Sequence, residues 1–193
     1  LSMNYKICIT TTSRQPRIGE QNGIDYHFLT RDRFQEKVAN GGFIEHVEFD
    51  TNLYGLSIDA ISIDPSSTCL LIVENKGFDN IKNYVKKNNN LKFQTVFLDI
   101  EPKQLKENML ARGDSLESIQ KRIKNDTISL EMNKIITKYS DTNNILTITD
   151  LLELNVLKDK IEDFIEEDTQ LLLIIGPSGS GKDTIQNFMI NNS

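Results

Sequence analysis

The apolar run Leu171-Leu172-Leu173-Ile174-Ile175 leads directly into Gly176-Pro177-Ser178-Gly179-Ser180-Gly181-Lys182-Asp183-Thr184. A buried strand, a glycine-rich loop and a lysine opening a helix form a phosphate-binding P-loop. Glycines, lacking Cβ atoms, let successive backbone N–H groups converge on phosphate oxygens. Lys182 adds positive charge for the β- and γ-phosphates, and the helix N-terminus adds its dipole. Residues Gly176, Pro177, Ser178, Gly179, Ser180, Gly181, Lys182, Asp183 and Thr184 are therefore expected to hold the phosphates of ATP. An ordinary Gly/Ser turn would account for the glycines but not for the lysine at this spacing. Asp183 departs from the motif, which places Ser or Thr there for Mg²⁺. A carboxylate can reach that ion through water, so Mg²⁺ is expected near Asp183 without a defined ligand set.

A second group lies near the other end of the chain. Arg14 and Arg17 flank Gln15-Pro16 in a turn-rich stretch, and Tyr26 follows. Guanidinium forks and a phenol hydroxyl suit a dianionic phosphate. A solvated loop with stray arginines is the plainer alternative.

These groups need a scaffold, and 193 residues with 38% hydrophobic content can bury one good core with small appended lobes. The 22 Lys+Arg against 28 Asp+Glu give a net charge of −6, which argues against a sequence-blind nucleic-acid binder. Cys8 and Cys69 lie in apolar strand-like runs and read as reduced core residues of a cytoplasmic protein. His27 and His46 are too few and too scattered for a zinc site. No apolar run approaches the ~20 residues of a membrane span, and no signal peptide is visible.

Strands are expected over residues 5–10, 47–50, 69–73, 93–99, 144–148 and 171–175, and helices over 31–40, 77–87, 102–111, 116–138, 150–166 and 182–191. Near-continuously apolar strands alternating with helices imply an α/β fold with a parallel sheet covered on both faces. Residues 13–66 are more polar and turn-rich and read as an inserted lobe. The helix pair over 103–138 reads as a second insertion, leaving a core of 1–12, 67–102 and 139–193.

The stretch T-S-R-Q-P-R-I-G-E-Q-N-G-I-D-Y-H-F, with G-G-F-I-E-H-V-E-F at Gly41–Phe49, N-L-Y-G at Asn52–Gly55, A-R-G-D-S-L-E-S-I-Q-K-R at Ala111–Arg122 and the P-loop, resembles the guanylate kinase family. The blocks span nearly the whole chain, but their order is rotated: the family runs from the P-loop to the arginine block. The resemblance therefore implies a three-layer P-loop kinase fold in circularly permuted form, or a slice of a tandem array. Residues 13–66 become the acceptor lobe and 103–138 a helical lid. The implied reaction is MgATP with GMP or dGMP giving ADP and GDP. Arg14, Arg17, Tyr26 and Tyr54 would hold the acceptor phosphate; Thr10, Glu45 and Glu74 would face guanine. Lys182, Arg112 and Arg122 would be catalytic, offsetting charge on the transferring phosphoryl group. The partners implied are ATP and GMP, with no nucleic acid and no membrane; the sequence does not choose between monomer and homodimer.

The match has gaps. Leu56 stands where the family has a guanine-contacting hydroxyl, with Ser57 next door as a substitute. Ile72 replaces one of two acids in the 69–74 segment, Asn108 replaces a lid arginine, and Thr149 replaces an asparagine near the donor base. Asp183 also occurs in kinases that phosphorylate ribose 1,5-bisphosphate. A related kinase with another phosphorylated acceptor, or a non-catalytic binding module, are the alternatives; retained Lys182 speaks against the module.

Overall fold

A computed structural model describes residues 4–49, 51–61, 66–88, 91–125, 144–150 and 153–193. Five parallel strands form the central sheet: β1 (Asn4–Ile7), β6 (Ser67–Ile72), β7 (Phe93–Leu98), β8 (Ile145–Ile148) and β9 (Leu171–Ile175). Their spatial order is β1-β6-β9-β7-β8. β9, last in the chain, is thus the middle strand, paired with β6 from Cys69↔Leu171 and with β7 from Phe93↔Leu171.

Every residue of β9 is buried because both faces of the sheet are covered. Side chains alternate between faces, and the core divides accordingly. Leu172 and Ile174 join Leu70, Val96 and Leu98 under helices α3 (Pro102–Ala111), α5 (Leu154–Phe164) and α6 (Lys182–Asn191), which supply Leu105, Met109, Leu157, Ile161, Ile185 and Met189. Leu171, Leu173 and Ile175 face the other way, with Cys69, Leu71 and Phe97, against Phe78 and Ile81 of α2 (Asn75–Lys87). This is the expected three-layer α/β arrangement.

A second sheet has the order β3-β2-β5-β4, from β2 (Thr11–Thr12), β3 (His27–Phe28), β4 (Phe43–Phe49) and β5 (Asn52–Ser57). Helix α1 (Arg31–Ala39) is capped by the Thr30 hydroxyl and seats fully buried Phe34 against the Phe43 ring at 4.4 Å. Helix α4 is described over residues 116–125; the rest of the helix expected to 138 lies outside the described residues.

Several boundaries differ from expectation. The strand expected over 5–10 ends at Ile7: Cys8 still donates its N–H to Leu70 O, but the next strand begins at Thr11, beyond the expected range, and pairs with Gly55 of the second sheet. The chain changes sheets within one β-branched run, which composition does not reveal. β4 begins at Phe43, four residues before the expected start, because all of it pairs with β5. α2 starts at Asn75 with Glu74 as its cap residue, and α5 is shorter than the expected 150–166 helix.

Candidate active site

Ligands of open α/β sheets bind beyond the carboxyl ends of the strands. The glycine-rich loop follows the carboxyl end of β9. The loop after β9 is tightly made: a Cβ on Gly176 would stand 2.8 Å from Leu98 Cβ and 2.7 Å from Ser180 Oγ. Gly179 and Gly181 have φ of +79° and +87°, a region that L side chains enter at a cost. Gly181 caps α6, and its carbonyl accepts from Ile185 N–H at 2.9 Å. Lys182 Nζ bridges the carbonyls of Gly176 and Pro177 at 2.7 and 2.8 Å, spanning the cradle where phosphate oxygens would lie. Ser180 Oγ is buried and, among the described residues, has no hydrogen-bond partner.

A cleft of about 350 Å³ opens over this loop, lined by Asn108, Arg112, Gly179, Gly181, Lys182, Asp183 and Thr184. Asn108 is hydrogen-bonded on both sides. Its Nδ2 donates to Gly179 O at 2.8 Å, and Gln104 Nε2 donates to its Oδ1 at 3.0 Å. Arg112 pairs with Asp114 through both Nε and Nη2. That pairing is the main cause raising the Arg112 pKa, and the Asp183 carboxylate adds to it. Arg112 in turn holds the Asp114 carboxyl below the usual range. Arg122 is not among the residues lining the cleft; its Nη1 stands 4.0 Å from Asp114. Thr149 does not line it either, and its hydroxyl donates to its neighbour Asp150.

The other site residues expected from the sequence meet in two groups. Arg14 lies over the Tyr26 ring at 5.5 Å and against Phe28 at 5.9 Å, and Tyr26 packs edge-on to Tyr54 at 6.3 Å. Glu20, which the sequence reading did not single out, organises this group. One of its oxygens accepts from Arg14 Nη2 at 2.9 Å and the other from the Arg17 backbone N–H at 2.7 Å. The Arg14 hydrogen bond holds the Glu20 carboxyl below its ordinary range. Arg17 itself is exposed and joins through its backbone.

Thr10, Glu45 and Glu74 line a second cleft, of about 230 Å³, with Val47, Leu71, Ile72, Val73, Lys76 and Gly77. Glu45 projects from β4 toward the first turns of α2. Asn80 Nδ2 donates to Glu45 Oε2 at 3.4 Å, and a Cβ built on Gly77 would lie 3.7 Å from Glu45 Oε1. The carboxylate thus sits by the positive end of a helix dipole. Asn80, too, escaped the sequence reading: it meets Glu45 from 35 residues away. Leu56 is the cross-strand partner of Glu45 and is wholly buried in the apolar cluster. Ser57 cannot substitute for the missing hydroxyl, since the pleat sends it to the opposite face of β5. Cys8 and Cys69 are buried free thiols, both directed at the Ala60 carbonyl at 3.7 Å.

A parallel sheet with a lysine-closed glycine loop beyond its central strand defines an α/β protein of the P-loop class. A family model described as guanylate kinase matches residues 1–153. The chain belongs to the guanylate kinase family. It is 35% identical to pig guanylate kinase over 136 residues, which are 67% of this chain and 65% of that protein. It is 44% identical to the human enzyme over 80 residues, 41% of that protein, and 28% identical to the Clostridium perfringens enzyme over 173 residues, 69% of that protein. The aligned part of the chain thus spans less than two thirds of the pig and human proteins. The crystal structure of guanylate kinase from Anaplasma phagocytophilum superposes on 96% of this chain and 74% of its own, with a TM-score of 0.50 and 18% identity, a likeness of fold. No described helix is long and apolar enough to cross a membrane.

Proposed function

We propose that this chain transfers the γ-phosphoryl group of MgATP to GMP or dGMP, giving ADP and GDP or dGDP. The observation that carries this is the placing of two clefts beyond neighbouring strands. Glu45 and Thr10 share a pocket at the carboxyl end of β6, and the Lys182 loop follows β9, its partner in the sheet. A carboxylate accepts from guanine N1–H and N2–H₂ together, a donor pair that adenine lacks. Arg14, Arg17, Tyr26 and Tyr54 take the acceptor phosphate, and Lys182 with the loop amides takes the donor phosphates.

Phosphoryl transfer needs alignment and charge neutralisation rather than a covalent group. The acceptor phosphate oxygen is itself the nucleophile, so no general base is required. Arg112 reaches the donor cleft and is the lid arginine placed to neutralise the moving phosphoryl group. Arg122, 4.0 Å from the Asp114 carboxylate that holds Arg112, is the second arginine of this reading. The oxygens of Asp183 and Thr184 beside Lys182 fit an ion held mainly by phosphates and water, as Mg²⁺ is. When bound, that ion would neutralise β- and γ-phosphate charge.

Within this reading, residues 13–66 form the acceptor lobe, 103–138 the lid, and 1–12, 67–102 and 139–193 the core. The order of elements is the family's, rotated. Counted from the P-loop strand β9, the sheet reads second-third-first-fourth-fifth, and the family match over 1–153 precedes the P-loop. We place the reaction in the cytoplasm, where both nucleotides and reduced thiols are found.

The test is coupled ADP release with MgATP against GMP, dGMP, AMP, UMP, CMP and ribose 1,5-bisphosphate. Turnover on the guanine nucleotides well above the rest is expected. Activity confined to ribose 1,5-bisphosphate, which Leu56 and Asp183 would favour, moves the assignment to that acceptor. ATP binding without turnover on any of them makes the chain a binding module.

A further inference from the structure

Guanine presents two faces of chemistry to a protein. Glu45 serves the donors N1–H and N2–H₂, but O6 and N7 are acceptors and need donors of their own. O6 is bonded to the carbon next to N1, so its partner must stand close to the Glu45 carboxylate. Leu56, the cross-strand neighbour of Glu45, offers no polar atom, and Ser57 faces away. Thr10 brings one hydroxyl for two acceptors.

Lys76 lines the same pocket, one residue from the glycine that packs beside Glu45 Oε1. It is exposed and makes no ion pair among the described residues. It also occupies the first turn of α2, the end of a helix where a cation is disfavoured. The Glu45 and Glu74 carboxylates that line the pocket favour a cation there without pairing with it, which leaves the ammonium donors for an acceptor-rich ligand edge. Lysine is a standard donor to guanine O6 and N7.

We propose that Lys76 reads the O6/N7 edge of the guanine base and replaces the hydroxyl lost at Leu56, making it a specificity-determining residue. The inference rests on the GMP reading above. Opposite charges then divide the base: the Glu45 carboxylate takes the donor side and the Lys76 ammonium the acceptor side.

The experiment compares wild type, Lys76→Met and Lys76→Arg by kcat/KM and by calorimetric binding, using GMP, 6-thio-GMP and 7-deaza-GMP. Sulfur at position 6 is a poor acceptor, and carbon at position 7 is none. Methionine matches lysine in helix propensity, so α2 should persist, and unchanged ATP affinity will verify it. Wild type should prefer GMP over at least one analogue by about tenfold or more, the range for hydrogen bonds to a charged group. Lys76→Met should lose about ten- to a hundredfold on GMP, mainly through KM, and far less on that analogue, so the preference collapses. Lys76→Arg should keep it. An equal loss on GMP and both analogues would assign Lys76 to the acceptor phosphate or the general field and overturn the proposal, as would an unchanged preference. Failure of wild type to bind GMP would instead overturn the guanine site itself, whatever Lys76 does. Binding without turnover would leave the Lys76 comparison intact.

Discussion

The side-chain amide of Asn108 on α3 donates a 2.8 Å hydrogen bond to the carbonyl of Gly179 at the bend of the P-loop. Asn108 therefore works as a brace, joining α3 to the glycine-rich loop after β9. A neutral hydrogen bond of this kind contributes about 0.5–1.5 kcal/mol. Asn108→Ala should raise KM for ATP several-fold and leave KM for GMP within about twofold. Steady-state kinetics with each substrate varied in turn will measure this. A loss confined to GMP would show that the brace does not govern the donor loop.

Lys182 Nζ, held by the Gly176 and Pro177 carbonyls, is preset at the mouth of the cradle. Phosphate oxygens would draw it away from those carbonyls, so its removal should affect the donor site alone. We expect Lys182→Ala to abolish turnover and weaken ATP binding while GMP affinity by calorimetry stays near wild type. Loss of GMP binding as well would mean that the two clefts are not independent.

The proposed function gives Glu45 a different ligand, the guanine base. Glu45→Gln keeps the size but replaces an anionic acceptor with an amide that presents one carbonyl and two donors. Hydrogen bonds to charged groups are worth about 1.5–3 kcal/mol, so kcat/KM for GMP should fall by about ten- to a hundredfold. KM for ATP should barely move. Equal losses for both nucleotides would remove Glu45 from guanine recognition.

The P-loop and the Arg14–Tyr26 stretch were legible because each is local: chain neighbours supply the loop, the charge and the turn. The three-layer fold was legible from apolar strands that bury both faces, as β9 does. What the sequence hid is made between distant segments or by a change of direction. Asn80 and Glu45 meet only because α2 packs on β4. Residues 5–10 read as one strand, yet the chain leaves one sheet at Ile7 and enters another at Thr11. Ser57 looked like a substitute for Leu56 until β5 fixed the pleat and turned it away. Glu20 was in view from the start, but only the fold of its own loop brings its two oxygens to Arg14 and to Arg17 N–H.

Glu20 gives the acceptor lobe a pH signature. Its carboxyl is held below the ordinary 4.5, chiefly by the Arg14 hydrogen bond and then by the Arg17 N–H. A depressed carboxylate contributes stability that is fully present above its unfolded value and is lost as pH falls through the folded one. Wild type should therefore lose thermal stability on acidification below about pH 4.5 more steeply than Glu20→Gln, which cannot titrate at that position. Melting curves of both proteins between about pH 6 and 3 will compare the slopes. Parallel curves would show that the Glu20 pairing does not stabilise the fold.

Asp183 poses the sharpest conflict in the donor cleft. It lies in the first turn of α6, where the helix dipole favours a negative charge, and its field reaches Arg112. Both effects favour a negative charge at this position. Once a triphosphate enters, the same charge faces phosphate oxygens and repels them unless a divalent ion stands between. Asp183→Ser should therefore tighten ATP binding when Mg²⁺ is scarce, by removing the repulsion. With Mg²⁺ saturating, the ion screens the carboxylate and the advantage should vanish or reverse, since a carboxylate attracts the ion more strongly than a hydroxyl does. Titrating ATP affinity of both proteins across a Mg²⁺ series separates the cases. A gain that persists unchanged at saturating Mg²⁺ would mean that Asp183 acts only as an unscreened charge and has no part in holding the metal.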